Sequence, residues 1–180
     1  MALKELRGER VVLRPLEHGD LARCVAWFND HEVTYYLGRD GPLTLEEEER
    51  WFANYKAKTD ELIFAITVAD THIGNVGLHN IDLPNRRADV GIMIGEKSFW
   101  SKGLGTDALR AVLRYAFDEL RLNKVSLDVI DYNERAIRAY ERLGFVREGV
   151  KREDLLKRGQ FVDVIRMSIL AREAAPRREA

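Results

Sequence analysis

Gly103 and Gly105, with Lys102 before them and Thr106 after, close a loop between an apolar run ending at Ile94 and an amphipathic run beginning at Leu104. A helix that opens at such a point leaves its first N–H groups without internal partners, and glycines put no side chain in a ligand's way. The chemistry on offer is anion binding. Phosphate oxygens would meet the backbone amides from Lys102 to Thr106, and the Lys102 charge would add to the attraction. An ordinary turn requiring positive φ uses the same glycines, and spacing alone does not separate the two readings. The dinucleotide fingerprint G-x-G-x-x-A is excluded by placement: its glycines follow the strand directly, whereas here Gly95 to Lys102 intervene.

Further along, Asn133 and Tyr140 lie seven residues apart, two turns of helix, so both can face one ligand. Taken alone, Tyr140 reads as a core aromatic with a wet hydroxyl. Four histidines stand scattered at positions 18, 31, 72 and 79 without cysteine partners, so no metal site is expected.

The loop Trp100, Ser101, Lys102, Gly103, Leu104, Gly105 matches the pattern Q/R-x-x-G-x-G/A, with Trp100 in place of the first polar residue. Asn133, Ala136, Tyr140, Gly144 and Phe145 match N-x-x-A-x-x-x-Y-x-x-x-G-F. On these residues the stretch from Asp89 to Gly149 resembles the core of the GCN5-related N-acetyltransferases. A tryptophan ahead of a small residue, Lys and Gly is similar to the RimJ/RimL-like branch that acetylates N-terminal amines of ribosomal proteins, with spermidine acetyltransferases as near relatives.

The resemblance implies acetyl-CoA as co-substrate, its pyrophosphate on the amides of the 100–106 loop. It further implies a pantetheine arm against the backbone of Ile92, Met93 and Ile94, in a gap opened by a bulge in that strand, with Asn133 and Ala136 beside it. Tyr140 takes the role of general acid toward the CoA sulfur. Asp89 stands where relatives often carry a glutamate that acts as general base through water; one methylene shorter, it can equally serve as a structural hydrogen-bond acceptor. His79 is a second candidate base. The expected acceptor is a protein or peptide N-terminal amine. A polyamine such as spermidine is the alternative, attracted by Glu46 to Glu49 if that run faces the cleft, although charge at a helix start also complements the dipole. A non-catalytic acyl-CoA-binding module is the alternative from another class. A second copy of the chain is among the expected partners.

The elements that must position these residues read in order as βααβββαβαββ. Val11 to Leu13 form a strand closed by Pro15, and Asp20 caps a helix carrying Leu21, Cys24, Val25 and Phe28. Thr44 and Glu47 form a capping box for a second helix reaching about Lys58. Leu62–Val68 and Ile73–His79 make a hairpin about Asp70, and Ala88–Ile94 a third antiparallel strand. Leu109, Val112, Leu113, Ala116, Phe117 and Leu120 form the buried stripe of the central helix. Val125–Ile130 then pairs in parallel through a right-handed crossover. Asn133 caps a short helix ended by Gly144. Strands at Phe145–Val150 and Val162–Leu170, joined by the charged connection Lys151 to Gln160, complete the sheet. The expected fold class is α/β, a single mixed, largely antiparallel sheet with helices on both faces, the acyl-CoA N-acyltransferase fold.

The chain has 180 residues, 46% hydrophobic and 33% charged, enough for one core and one domain. The domain is expected over residues 1–171, with 172–180 as a mobile tail. A net charge of −1 supplies no global attraction to nucleic acid or an anionic membrane, and Arg172, Arg177 and Arg178 are interleaved with glutamates without an aromatic platform. Neither is expected as a partner. Lone Cys24 cannot form an internal disulfide. A charged start and no run long enough to span a bilayer point to the cytoplasm.

Overall fold

The computed structural model describes residues 4–38 and 42–174. One mixed eight-stranded sheet carries the chain, ordered β1-β2-β3-β4-β5-β6-β8-β7. A two-residue strand, β1 (Leu6–Arg7), precedes the expected first strand, β2 (Val12–Pro15), and β3 (Leu62–Val68) follows three helices, α1 (Leu21–Phe28), α2 (His31–Thr34) and α3 (Leu45–Ala57). Next come β4 (Thr71–Asp82), β5 (Arg87–Ile94), α4 (Leu104–Arg114), β6 (Lys124–Ile130), α5 (Glu134–Arg142), β7 (Val146–Lys157) and β8 (Gln160–Leu170). Beyond the expected order, the structure adds β1 and the single turn α2.

Helices cover both faces, and each face has its own apolar cluster. Leu104, Ala108, Leu109 and Val112 of α4 pack on Val76, Leu78, Val90 and Leu127. On the opposite face, Leu21, Cys24 and Trp27 of α1 join Phe52 and Tyr55 of α3 over Ile63 and Ala65. Alternation along β3 divides its side chains between the two.

Several local signals act as anticipated. Thr44 and Glu47 exchange the two bonds of the capping box, 3.2 and 2.8 Å. Ala69 and Asp70 both take positive φ, 45° and 62°, in the tight turn between β3 and β4. The Asn133 side chain accepts from the Ala136 amide at 3.2 Å, and Gly144 ends α5 at φ 97°.

Elsewhere long-range partners change the reading. Asp20 does not cap α1 with its side chain. Its buried carboxylate takes both guanidinium nitrogens of Arg14 at 2.7 Å and the Glu17 amide at 2.8 Å, with His72 Nδ1 at 3.3 Å. Burial alone would raise its pKa, but hydrogen bonds from Arg14 and His72 outweigh that and hold it well below the carboxylate range. The helix after the cradle stops being α-helical at Arg114 and widens into a π turn over Tyr115–Glu119, where the Leu120 amide reaches back to Tyr115. The connection Lys151 to Gln160 is mostly strand. β7 runs on to Lys157 and turns at Arg158 and Gly159 into β8; Lys151, Leu155, Leu156 and Lys157 pair across the hairpin, and the register shifts between Lys151 and Leu155, with Glu153 at φ 52°. Of the expected tail, Glu173 accepts from the Leu170 amide at 3.0 Å and Ala174 packs on the core, while 175–180 lie outside the described residues. Among the described residues no helix is long and apolar enough to cross a membrane.

Asp107, in the first turn of α4, holds the β1–β2 turn against the helix that carries the cradle. Its carboxylate accepts from three successive amides, Glu9 (2.9 Å), Arg10 (2.7 Å) and Val11 (3.1 Å), and it fills the space a Cβ on Gly8 would need. Asp107→Ala orphans those donors, so unfolding free energy should fall by about 2 to 4 kcal/mol. Urea titration of both proteins checks this, with an unchanged midpoint as the contrary result.

Candidate functional site

The strands β5 and β6 run parallel but pair at only three positions, Arg87 with Lys124, Ala88 with Val125 and Asp89 with Ser126. Beyond them the partners diverge, β5 staying on β4 as far as Ile94 and β6 on β8 as far as Ile130. A V-shaped gap therefore opens toward the strands' C-terminal ends, where parallel sheets bind ligands. The bulge expected in β5 is not what accompanies this gap; the register shift lies instead in β4, at the root of the fork. Between His79 and Asp82 that strand advances three residues while β5 advances two, with Asn80 at φ 51°.

A cavity of about 1170 Å³ runs through the gap. It reaches the N-terminus of α4 and α5 on one side and the α1–α3 face on the other. Gly103 is the N-cap of α4 at φ 77°, a left-handed conformation in which a Cβ would meet nothing within 4 Å. The first helical backbone bond runs from the Asp107 amide to the Gly103 carbonyl, so the amides of Leu104, Gly105 and Thr106 are helix-end donors without a partner inside α4, and all three residues line the cavity. Ser101 also takes a left-handed conformation, φ 59°. The loop is anchored from two sides. Trp100 Nε1 donates to the Ile94 carbonyl at 2.7 Å, and Arg10 donates to the Lys102 carbonyl at 2.7 Å. Trp100 in the usual polar position thus fastens the loop to the end of β5.

Ile92, Met93, Ile94, the loop Trp100–Thr106, Asn133, Ala136 and Tyr140 all line this one cavity. Tyr140 packs on Phe145 at 5.8 Å between ring centroids. Burial pushes its hydroxyl up to about 12, which keeps it protonated throughout the neutral range. Asp89 is not brought in. Its carboxylate is taken by Arg166 at 2.5 Å and by Asn80 at 3.0 Å, and the same guanidinium reaches Asp128 at 3.3 Å. Because β8 lies beside β6, Arg166 reaches across it and straps β5 to β6 at the fork. Of the two readings Asp89 admits, the geometry matches the structural one.

Sequence reasoning missed Arg135, Arg142 and Glu61, all cavity-lining. Arg135 stacks over the Trp100 ring at 5.6 Å, adding positive charge near the cradle. Its position two residues past the Asn133 cap was the available signal. Glu61 sits in the turn before β3 and accepts from His79 Nδ1 at 2.5 Å and Lys58 at 2.8 Å. Burial works to raise its pKa, but the bonds from Lys58 and His79 prevail and lower it. Glu47 and Glu48 of α3 and Trp51 line the same end, so the acidic run does contribute to the cleft.

A family profile described as an acetyltransferase (GNAT) domain matches residues 10–146. A Bacillus licheniformis protein named uncharacterized N-acetyltransferase p20 is 30% identical over 96% of this chain and 99% of its own. A Bacillus subtilis protein whose name reads "Putative ribosomal N-acetyltransferase YdaF" is 41% identical over 56% of this chain and 54% of its own. The crystal structure of spermidine N-acetyltransferase from Vibrio cholerae, in complex with CoA and spermine, superposes with a TM-score of 0.86. It is 30% identical and covers 91% of this chain and 97% of that one.

Gly103→Val puts a β-branched residue at φ 77° with its side chain in open space beside the helix-end amides. Stability should fall by about 1 to 2 kcal/mol, and the acetyl-CoA Kd should rise roughly tenfold or more, a loss of at least about 1.4 kcal/mol. Calorimetric titration at a temperature where the variant is folded checks this; an unchanged Kd removes the cradle assignment.

Proposed function

Since the chain belongs to the GNAT acetyltransferase family and is an N-acetyltransferase, we propose that it moves the acetyl group of acetyl-CoA to the N-terminal amine of a protein or peptide, with Tyr140 as general acid. The observation that carries this reading is the single cavity through the β5–β6 gap, lined at one side by the α4 cradle and Tyr140 and at the other by an acidic, aromatic pocket.

The pyrophosphate lies on the amides of Leu104, Gly105 and Thr106, and the Lys102 and Arg135 charges stand beside it. The pantetheine arm extends along the edge of β5 left unpaired beyond Asp89, which delivers the thioester between Tyr140 and the acceptor pocket. There Glu47 and Glu48 favour a cationic amine, and Phe28, Val33 and Trp51 give an apolar wall to a first side chain. As the C–S bond breaks, the neutral Tyr140 hydroxyl protonates the departing thiolate.

A polyamine acceptor is the second reading. It is favoured by the same carboxylates, together with the overall similarity to a spermidine acetyltransferase. Initial-rate assays with acetyl-CoA and either spermidine or a panel of short peptides separate the two. Peptide acetylation supports the first reading, and acetylation of spermidine alone replaces it with the second.

Tyr140→Phe keeps the ring on Phe145 and removes only the proton donor. Expected is a fall in kcat of about 10² to 10⁴-fold with the acetyl-CoA Kd within a few-fold of wild type. Wild-type kcat across pH, with chemistry rate-limiting, would remove the general-acid role. With its proton held to about 12, this tyrosine should not produce any alkaline fall in rate between about pH 7 and 10.

A further inference from the structure

We infer that His79 is the catalytic base that deprotonates the acceptor ammonium, and that Glu61 is the residue that positions it. The inference rests on the acetyltransferase reading above and adds the proton acceptor that Asp89 does not supply.

Three observations place the imidazole for this task. His79 Nδ1 lies 2.5 Å from Glu61 Oε1, so with a carboxylate there Nδ1 carries the proton and Nε2 keeps its lone pair. Nε2 then lies over two opposed glycines, paired in register across β4 and β5. A Cβ on Gly77 would come within 2.9 Å of it and one on Gly91 within 3.3 Å. Any larger residue at either position would displace the ring. Finally, His79, Glu61, Gly77, Gly91 and Tyr140 all line the one cavity that passes through the gap. The base is thus on the α1–α3 face and the acid on α5, with the gap between them.

The protons and bonds balance as follows. Nε2 takes one proton from the ammonium and passes it to solvent. The freed lone pair forms the C–N bond as the carbonyl π pair moves onto oxygen. On collapse the C–S bond breaks, Tyr140 protonates sulfur, and the second proton lost from nitrogen restores the tyrosine.

Charged groups from several elements surround the imidazole. From the turn before β3 comes Glu61, itself bonded to Lys58 at the end of α3. From β5 comes Asp89, opposite His79 in register and paired with Arg166 of β8. Glu47 and Glu48 of α3 and Asp128 of β6 line the cavity. Lys58 and Arg166 each already face a carboxylate, and Glu61 is the carboxylate in direct contact with the ring.

The test uses the full chain with acetyl-CoA and, in parallel, spermidine and a short peptide with a free N-terminus. His79→Ala should lower kcat about 10² to 10⁴-fold with the acetyl-CoA Kd within a few-fold, and added imidazole should restore part of the rate. Glu61→Gln, which takes from the ring the carboxylate that orients it, should lower kcat with the acetyl-CoA Kd within a few-fold, and Glu61→Asp should restore part of that loss. A folded His79→Ala protein with kcat within about threefold of wild type overturns the proposal. So does loss of activity without imidazole rescue when Glu61→Gln keeps wild-type kcat, since that is the pattern of a structural histidine. If His79→Ala does not fold, His79→Gln and the kcat of Glu61→Gln decide in the same terms. A wild-type protein that binds acetyl-CoA but acetylates neither amine overturns the transfer reading and this one together. Wild-type transfer with the variants unaffected overturns only the dyad.

Discussion

Three ladder positions hold β5 to β6, and everything at the site depends on their being only three. Past the fork each strand keeps its partner on the other side, β5 pairing with β4 as far as Ile94 and β6 with β8 as far as Ile130, so the sheet survives the opening. A continued parallel ladder would have satisfied the backbone of Ile92 to Ile94 and left no gap for a ligand. The fork is strapped where it begins, because Arg166 reaches Asp89 on one arm and Asp128 on the other. A bulge at Asn80 in β4 lies at the same level, on the far side of β5. The separation is thus maintained by charge and backbone geometry at its root.

The cradle depends on the fork and on a brace behind it. Arg10 holds the Lys102 carbonyl while Asp107 collects three amides from the turn that contains Arg10, so the β1–β2 turn and the start of α4 are tied to each other from both sides. Trp100 fastens the front of the loop to Ile94. The helix-end amides are consequently aimed before any ligand arrives, which reduces the ordering cost of binding.

The two faces of the sheet divide the chemistry. On the α4–α5 face the groups are backbone amides, basic side chains and a neutral phenol, suited to phosphate and a leaving thiolate. On the α1–α3 face they are carboxylates, aromatic rings and a histidine held by Glu61, suited to an ammonium. The gap is where the two meet.

Much of this was written locally. The capping box at Thr44, the Asn133 cap, Gly144 at a helix end and the apolar stripe of α4 depend on neighbours within a few residues, so the sequence alone determined the elements, and the loop and tyrosine patterns determined the family. What it did not determine are the partners of polar groups far apart in the chain. Asp20, read as a cap, answers to Arg14 and His72. Asp89, open between base and structural acceptor, answers to Arg166, 77 residues away. Lys151 to Gln160, charged enough to pass for a loop, is mostly strand because Lys151 and Leu155 to Lys157 find partners on β8. Glu61 carried no motif, and its role arises only when β4 brings His79 beside it. Periodicity and capping are read from spacing along one chain, but the environment of a charge is set by whatever the fold places around it, and for this protein only the tertiary structure decided that.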